Sequence, residues 1–335
     1  MELSFRAVAE ARAGAKWQAL YHRFWPSYKA WFLAEGDAAR PSYPVCIRKL
    51  REHMPELVPT YEMLVDLAGG GDLAARFLSG YRPPAYVSGC TQAVWTSDKP
   101  LLVRNYDYSP DLLEGTIVRT EWNDHPVIAM GDGLWGAVDG MNASGLAVSL
   151  AFGGRQTVGD GFGITLILRY ILEFCRTTGE AVKALKRVPT HMSYNVTMLD
   201  REQRFATVFV APDRTPIVRQ LPIATNHQGK IEWRRHAWAT ATLEREHAVA
   251  SRLADCDETG EGFVAAFLEP PLFNTAYQRG FGTLYTAVYR PLDGVAEYRW
   301  RTASSRQSFG RFTEGEWSVN LRGLHRRPRA SDGRK

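Results

Sequence analysis

Cysteine is scarce in this chain: of 335 residues only Cys46, Cys90, Cys175 and Cys256 are cysteine, and no two of them form a CxxC pair. That spacing excludes a structural zinc site built on paired thiolates. A disulfide framework is equally unexpected, because the start, MELSFRAVAEARAGAKWQAL, lacks the uninterrupted apolar stretch of a secretory signal. Missing too are an HExxH segment and His and Asp pairs at ligand spacing, which leaves metal hydrolysis without support. Gly153-Gly154 and Gly159 to Gly163 make no phosphate-binding loop. No apolar run approaches the roughly 18 residues that a membrane span needs. These absences point to a soluble, cytoplasmic protein with no metal and no cofactor, in which a cysteine is either buried filler or chemistry.

Net charge is lacking outside one place. The chain carries a formal +5, and Arg322 to Lys335 alone hold five Arg, one Lys and one Asp, which is the same +5. Residues 1–321 are therefore formally neutral. The tail RGLHRRPRASDGRK reads as a disordered basic end and not as a specific nucleic-acid reader. An apolar fraction of 45% against 23% charged residues is that of a globular chain able to bury a substantial core.

Residues 1 to about 80 follow a helical pattern, with an aromatic stripe of Trp17, Tyr21, Trp25, Tyr28 and Trp31 and later helices punctuated by Pro55, Pro59 and Gly69 to Gly71. Arg82-Pro83-Pro84 breaks the pattern. Short strands follow from Val87: CTQAVWT and LLVRNYDY around a hairpin signal at Ser97 to Pro100, then TIVRTEW, PVIAMG, WGAVDGMN and LAVSLAF. The stretch ITLILRYILEFCRTTGEAVKALKRV predicts one long helix, apolar almost all round in its first half and so buried against a sheet. YNVTMLD, FATVFVA and IVRQLPIATN predict a second set of strands. A polar helix near Trp238 to Ala254 and a short one near Gly262 to Leu268 precede a last hairpin, TLYTAVYRP with VAEYRWR, turning at Leu292 to Gly294. This order predicts an α+β fold of two sheets packed on each other with helices outside, and no internal repeat.

Cys90 stands behind a glycine at the first residue of a strand. With Ser97 to Pro100 as a tight loop, Thr96 faces Leu101 and Cys90 faces Asp107, a carboxylate about 5 Å from the thiol. Arg104 is the other candidate partner, since a guanidinium beside sulfur favours the thiolate and lowers the thiol pKa. Arg104 and Asp107 are three residues apart, so period-two alternation sends them to opposite faces. Either the strand is irregular at Asn105-Tyr106 or one of the two is away from the site.

GCTQAVW followed by RNYD, with ATNHQG about 130 residues on and a late GTLYTAVYRP strand, resembles the N-terminal-nucleophile cysteine hydrolases. The nearest group is the acyl-coenzyme A:6-aminopenicillanic acid acyltransferases, with choloylglycine hydrolases and acid ceramidase more distant. The resemblance implies a four-layer α-β-β-α sandwich and self-cleavage at Gly89/Cys90. It divides the chain into a mainly helical α chain, residues 1–89, a catalytic region, residues 90–321, and the basic tail, residues 322–335. The aromatic stripe has too much apolar surface to be released into water, so the two pieces should stay together as a heterodimer. Gly89 suits the scissile position by leaving its carbonyl open to the following sulfur. Cys90 would be the nucleophile and its freed α-amine, with a pKa near 8, the base. By the same resemblance Asp107 orients that amine, Arg104 stabilises the thiolate or positions the substrate, and Asn226 donates to the oxyanion. Asn195 is a further candidate lining residue.

The segment GMNASGLAVSLAF has Ala151 where choloylglycine hydrolases carry an asparagine, which weighs against bile-salt hydrolysis and leaves a second oxyanion donor unassigned. The expected substrate is a small molecule with a linear amide or acyl thioester bond. Two other readings are a processed but inactive relative that only binds, and a partner-binding protein acting through its basic tail. A papain-like Cys-His pair with His227 is disfavoured, because TQAVW alternates like a strand where a papain-type cysteine opens a helix.

Overall fold

The computed structural model describes residues 1–321, so the basic tail expected over 322–335 lies outside the described residues. The chain opens with a strand, β1 (Glu2–Glu10), and then runs through four helices, α1 (Ala15–Phe32), α2 (Tyr43–His53), α3 (Val58–Leu67) and α4 (Asp72–Leu78). A hairpin of β2 (Gly89–Trp95) and β3 (Leu101–Tyr108) follows, then β4 (Thr116–Thr120), β5 (Val127–Asp132), β6 (Gly136–Asn142) and β7 (Ala147–Phe152). Next come α5 (Ile164–Phe174), α6 (Thr178–Arg187), β8 (Tyr194–Leu199), β9 (Phe205–Ala211), β10 (Arg214–Arg219) and β11 (Ile223–Ala224). The chain closes with α7 (Arg234–Ala239), α8 (Thr242–Leu253), α9 (Gly260–Ala266), β12 (Gly282–Arg290), β13 (Val295–Trp300), β14 (Ala303–Ser308) and β15 (Gly315–Asn320).

The strands form a nine-stranded sheet, in the order β10-β9-β8-β7-β6-β5-β4-β1-β15, and a six-stranded sheet, β11-β2-β3-β12-β13-β14. The two pack face to face where β2 and β3 lie on β7 and β8 and β12 lies on β6. Because both faces of the central strands are covered, β2, β6 and β7 are buried along their whole length. The apolar α5 covers β5, β6 and β7 from outside, and α6 covers β9 and β10. On the other outer face Val249 of α8 and Phe263 and Val264 of α9 join Ala93, Trp95, Leu101 and Val103 in a separate apolar cluster. Helix, sheet, sheet, helix is the four-layer sandwich expected. Among the described residues no helix is long and apolar enough to cross a membrane.

Ahead of its four helices the N-terminal segment adds a strand that the helical pattern does not show, β1, which lies in the nine-stranded sheet, antiparallel to β15 and parallel to β4. Its Ala-, Glu- and Arg-rich composition favours a helix locally, and sheet pairing with Phe5 and Ala7 in the core overrides that preference. Four expectations that follow it are corrected. The single long helix is two, broken where the Thr177 side chain caps α6 by accepting the Glu180 amide. The polar helix near Trp238 also divides, into α7 and α8 on either side of Thr240-Ala241, with Ala241 at φ +47°. The last hairpin continues into β14, and β15 crosses to the other sheet. Finally, Trp95 and not Thr96 faces Leu101, so Cys90 faces Tyr106 and Gly89 faces Asp107. The register follows apolar matching: Trp95 with Leu101 and Ala93 with Val103 put four side chains into one cluster, whereas Thr96 stays exposed in the turn.

Candidate active site

The β2–β3 ladder is regular, so Arg104 and Asp107 do point to opposite faces, and both still reach Cys90. Cys90, Gln92, Arg104 and Tyr106 share the inner face between the sheets. Arg104 Nη2 lies 3.2 Å from Cys90 Sγ, its Nε donates to the Leu150 carbonyl at 2.8 Å, and its Nη1 donates to Asp139 and, at 3.2 Å, to the Tyr285 hydroxyl. The Tyr106 ring lies under the guanidinium, 4.5 Å from its carbon. Arg104 and Asp139 are both fully buried, and Tyr285 and Tyr289 give Asp139 two further hydrogen bonds. A buried ion pair persists only when its remaining lone pairs are satisfied, which these tyrosines do.

Asp107 approaches from the outer face. Its Oδ1 accepts from the Thr283 hydroxyl at 2.6 Å and its Oδ2 lies 3.8 Å from Arg245 Nη1. Gly89 fits here by close approach: a Cβ on it would stand 2.7 Å from the tip of the Phe281 ring, which would have to shift. The Cys90 amide donates to Asn226 Oδ1 at 3.0 Å, and Asn226 Nδ2 donates to the Phe152 carbonyl at 3.0 Å and the Ser88 carbonyl at 3.4 Å. These partners fix which way the Asn226 amide points. Gly154, at φ +71°, lets its loop press against Asn226, whose carbonyl oxygen would lie 2.2 Å from any Cβ there.

Arg245 was not anticipated. It is fully buried and spans the site: Nη1 donates to the Cys90 carbonyl and to Thr91 Oγ1, each at 2.6 Å, and Nη2 to Asn226 Oδ1 at 2.6 Å. The signal was in α8, whose inward stripe reads Thr242, Arg245, Val249, an i, i+3, i+7 spacing with a charge in an apolar position. Asn195, expected as lining, instead holds the Thr225 and His227 carbonyls at 2.8 and 2.9 Å, and so fastens the segment that carries Asn226. His227 turns away from the sulfur toward Glu246, at 3.4 Å. Cys46 and Cys175 are buried within the apolar core and Cys256 is exposed.

The thiol is not activated in this state. Burial pushes the Cys90 pKa up, and the Asp107 charge adds to that, against the pull of the Arg104 charge, the Asp107 amide and the Ser88 hydroxyl. Burial likewise raises the Asp107 carboxyl, to about 6, although Arg245, Thr283 and Arg104 pull it down. Arg104 keeps its charge despite burial, because Cys90, Tyr285 and Asp139 surround it.

The sequence profile of the acyl-coenzyme A:6-aminopenicillanic acid acyltransferase family matches residues 94–304. The chain belongs to that family. The matched span carries Arg104, Asp107, Asp139, Asn226 and Arg245, and Cys90 lies just ahead of it. No curated protein matches the chain. Among solved structures it is similar to penicillin V acylase from Agrobacterium tumefaciens, at 14% identity and a TM-score of 0.48 over 66% of this chain and 86% of that one. It is also similar to a mutant of the conjugated bile acid hydrolase from Clostridium perfringens, at 12% identity and a TM-score of 0.46 over 69% and 97%. A third is the N-acylethanolamine-hydrolyzing acid amidase ortholog from Caenorhabditis elegans, at 16% identity and a TM-score of 0.43 over 61% and 93%.

Proposed function

We propose that this acyltransferase-family chain is a cysteine amidohydrolase or acyltransferase that becomes active by cutting itself between Gly89 and Cys90. The observation that carries the reading is the Arg104 guanidinium 3.2 Å from a fully buried Cys90 Sγ at the start of β2. In the cut, Sγ attacks the Gly89 carbonyl, the Gly89–Cys90 C–N bond breaks, and the thiol proton passes to the departing amine. The resulting thioester is hydrolysed by water to a Gly89 carboxylate and a Cys90 bearing a free α-amine and a free thiol. Ser88 is 2% exposed and Cys90 0%, so an outside protease has no access to this bond. Cleavage of purified precursor is therefore expected to be first order, with a half-time unchanged on dilution; a half-time that lengthens as protein is diluted indicates cutting in trans.

A buried thiol whose pKa is raised needs a base, and the new α-amine, with an ordinary pKa near 8, lies on the same residue. The amine takes the thiol proton, Sγ adds to the substrate carbonyl, and Arg104 balances charge on sulfur. After the cut the Ser88-Gly89 end is no longer tied to Cys90, and as it moves off Asn226 Nδ2 that hydrogen is left for the oxyanion. The leaving amine takes its proton back from the ammonium, and water or an amine then removes the acyl group from sulfur. Arg245 keeps Asn226 Oδ1 turned away from the oxyanion, so Arg245→Met is expected to lower kcat by about 10²-fold while the cut chains stay paired, a loss of the size seen for a missing oxyanion donor. Unchanged kcat in that variant removes Arg245 from the site.

Asp107 holds the ammonium only when ionised. With the α-amine titrating near 8 and the Asp107 carboxyl pushed up to about 6 by burial, kcat/KM is expected to fall as pH drops below about 8 and more steeply below about 6, and Asp107→Asn should remove only the second, steeper step, at a lower plateau rate. The decisive experiment on the reading as a whole is intact mass with N-terminal sequencing, followed by reaction with an acyl thioester. Two chains, one beginning Cys-Thr-Gln-Ala-Val and gaining one acyl mass, support it. A chain that stays whole and never acylates makes this an inactive relative.

A further inference from the structure

We propose that the cavity between the N-terminal helices and the end of β3 binds an organic ammonium group, and that the substrate of the amidase reading, on which this inference rests, therefore carries a positive charge. The cavity has a volume of about 270 Å³ and is walled by Trp31, Tyr86, Tyr108 and Trp135, with Glu114 and Asp132 among its lining residues. Trp31 and Tyr86 meet edge to face, their rings 6.2 Å apart. Aromatic faces with carboxylates beside them attract a cation and offer little to an anion. Tyr106 links this cavity to the sulfur: it faces Cys90 across the ladder and stacks on Tyr108, the rings 5.5 Å apart. A larger groove of about 900 Å³ holds none of the site residues, and its Arg290 and Arg299 are already paired with Glu261 and Glu297.

Glu114 and Asp132 are short of positive charge. Among the described residues neither makes an ion pair with its carboxylate; Arg6, whose charge acts on Glu114, donates to the Glu114 main-chain carbonyl at 2.9 Å and to Thr116 at 3.0 Å and pairs with Glu316, and Arg104, whose charge acts on Asp132, pairs with Asp139. The Tyr28 hydroxyl stands between the two acids, donating to Glu114 and lying 3.1 Å from Asp132 Oδ1 while it accepts the Gly133 amide at 2.8 Å. One hydroxyl has one hydrogen, so it satisfies one carboxylate, and the second contact calls for a proton on the other acid. The Leu134 amide adds a bond to Glu114 Oε1 at 2.9 Å and the Gly133 amide also acts on this carboxylate, while Oε2, which is not sealed off from solvent, has no hydrogen-bond donor among the described residues. An ammonium entering the cavity supplies the missing donors and charge. Tyr28, Trp31, Phe77 and Tyr86 all precede Gly89, so this site needs the N-terminal piece to stay in place after cleavage.

The test uses full-length Cys90→Ala protein and three probes of one shape, 2-phenylethylammonium, 2-phenylethanol and 3-phenylpropionate, in titration calorimetry. The ammonium is expected to bind at least about tenfold more tightly than the alcohol, and the carboxylate not measurably. Glu114→Gln and Asp132→Asn should each erase most of that preference while leaving alcohol binding, which shows the cavity intact. Equal or reversed preference, or no binding by any probe, overturns the proposal. Processed wild type offered amides charged on the acyl half or on the amine half then locates the cation, since Glu114→Gln lowers kcat/KM only for the half that enters. Binding in Cys90→Ala needs no nucleophile, so a chain that prefers the ammonium but never acylates sinks the amidase reading and leaves this one standing.

Discussion

Replacing Cys90 by alanine is expected to leave one uncut chain of 335 residues with no detectable amide turnover. The proposed covalent route passes through this sulfur twice, once on Gly89 and once on substrate, so no residual pathway would share its barrier. Removal of a covalent nucleophile in a comparable hydrolase costs about 10⁶ in kcat. The fold should hardly notice: the change deletes one buried sulfur from a fully paired strand, for roughly 1 kcal/mol or somewhat more. Thermal unfolding close to wild type beside a total loss of cutting and turnover separates chemistry from stability. Cys90→Ser keeps a weaker nucleophile and is expected to cut slowly. Turnover by the alanine variant at the wild-type rate would end the assignment of Cys90.

The residues facing this sulfur were legible to different degrees, for physical reasons. Arg104 and Asp107 were found because a hairpin brings LLVRNYDY alongside Cys90 and because RNYD carries the family resemblance, although the register that set Asp107 opposite Cys90 was one residue off. What alternation alone left open was how two residues on opposite faces serve one cysteine. The structure resolves it at the end of β2, where the side chain of Cys90 lies inward beside Arg104 and its main chain lies beside Asp107, Asn226 and Arg245. The register of the hairpin was missed by one residue because turn chemistry at Ser97 to Pro100 fits two loop lengths, and only the cluster formed with α8 and α9 chooses between them. That cluster depends on helices about 150 residues later, which no local pattern encodes. The break before α6 was missed although a local signal marks it, since Thr177-Thr178-Gly179-Glu180 is a helix-start signature. Neither β14 nor β15 shows a continuous apolar face, as suits edge strands exposed along much of their length.

Asp139 was passed over as one polar residue in WGAVDGMN, and it is the source of the other large expected effect. Arg104→Met leaves Asp139 fully buried with its cationic partner gone, and breaking a buried pair from one side costs about 3–5 kcal/mol. The variant is expected to unfold at markedly lower denaturant and to lose both cutting and turnover, which by itself does not tell a chemical role from a structural one. The paired change Arg104→Met with Asp139→Leu removes both charges. It also leaves Tyr285 and Tyr289 without their shared acceptor, so recovery of stability should be partial, on the order of half the loss. Activity should stay absent in the double variant, because nothing then balances charge on Cys90 Sγ. Asp139→Asn makes the converse point: it breaks the same pair from the other side and should also cost stability, but its amide oxygen still accepts from Arg104, which keeps the guanidinium beside sulfur. It is expected to cut and turn over at a reduced rate. If the double variant regains turnover along with stability, Arg104 serves the fold alone, and the thiolate is balanced from the other face by Arg245.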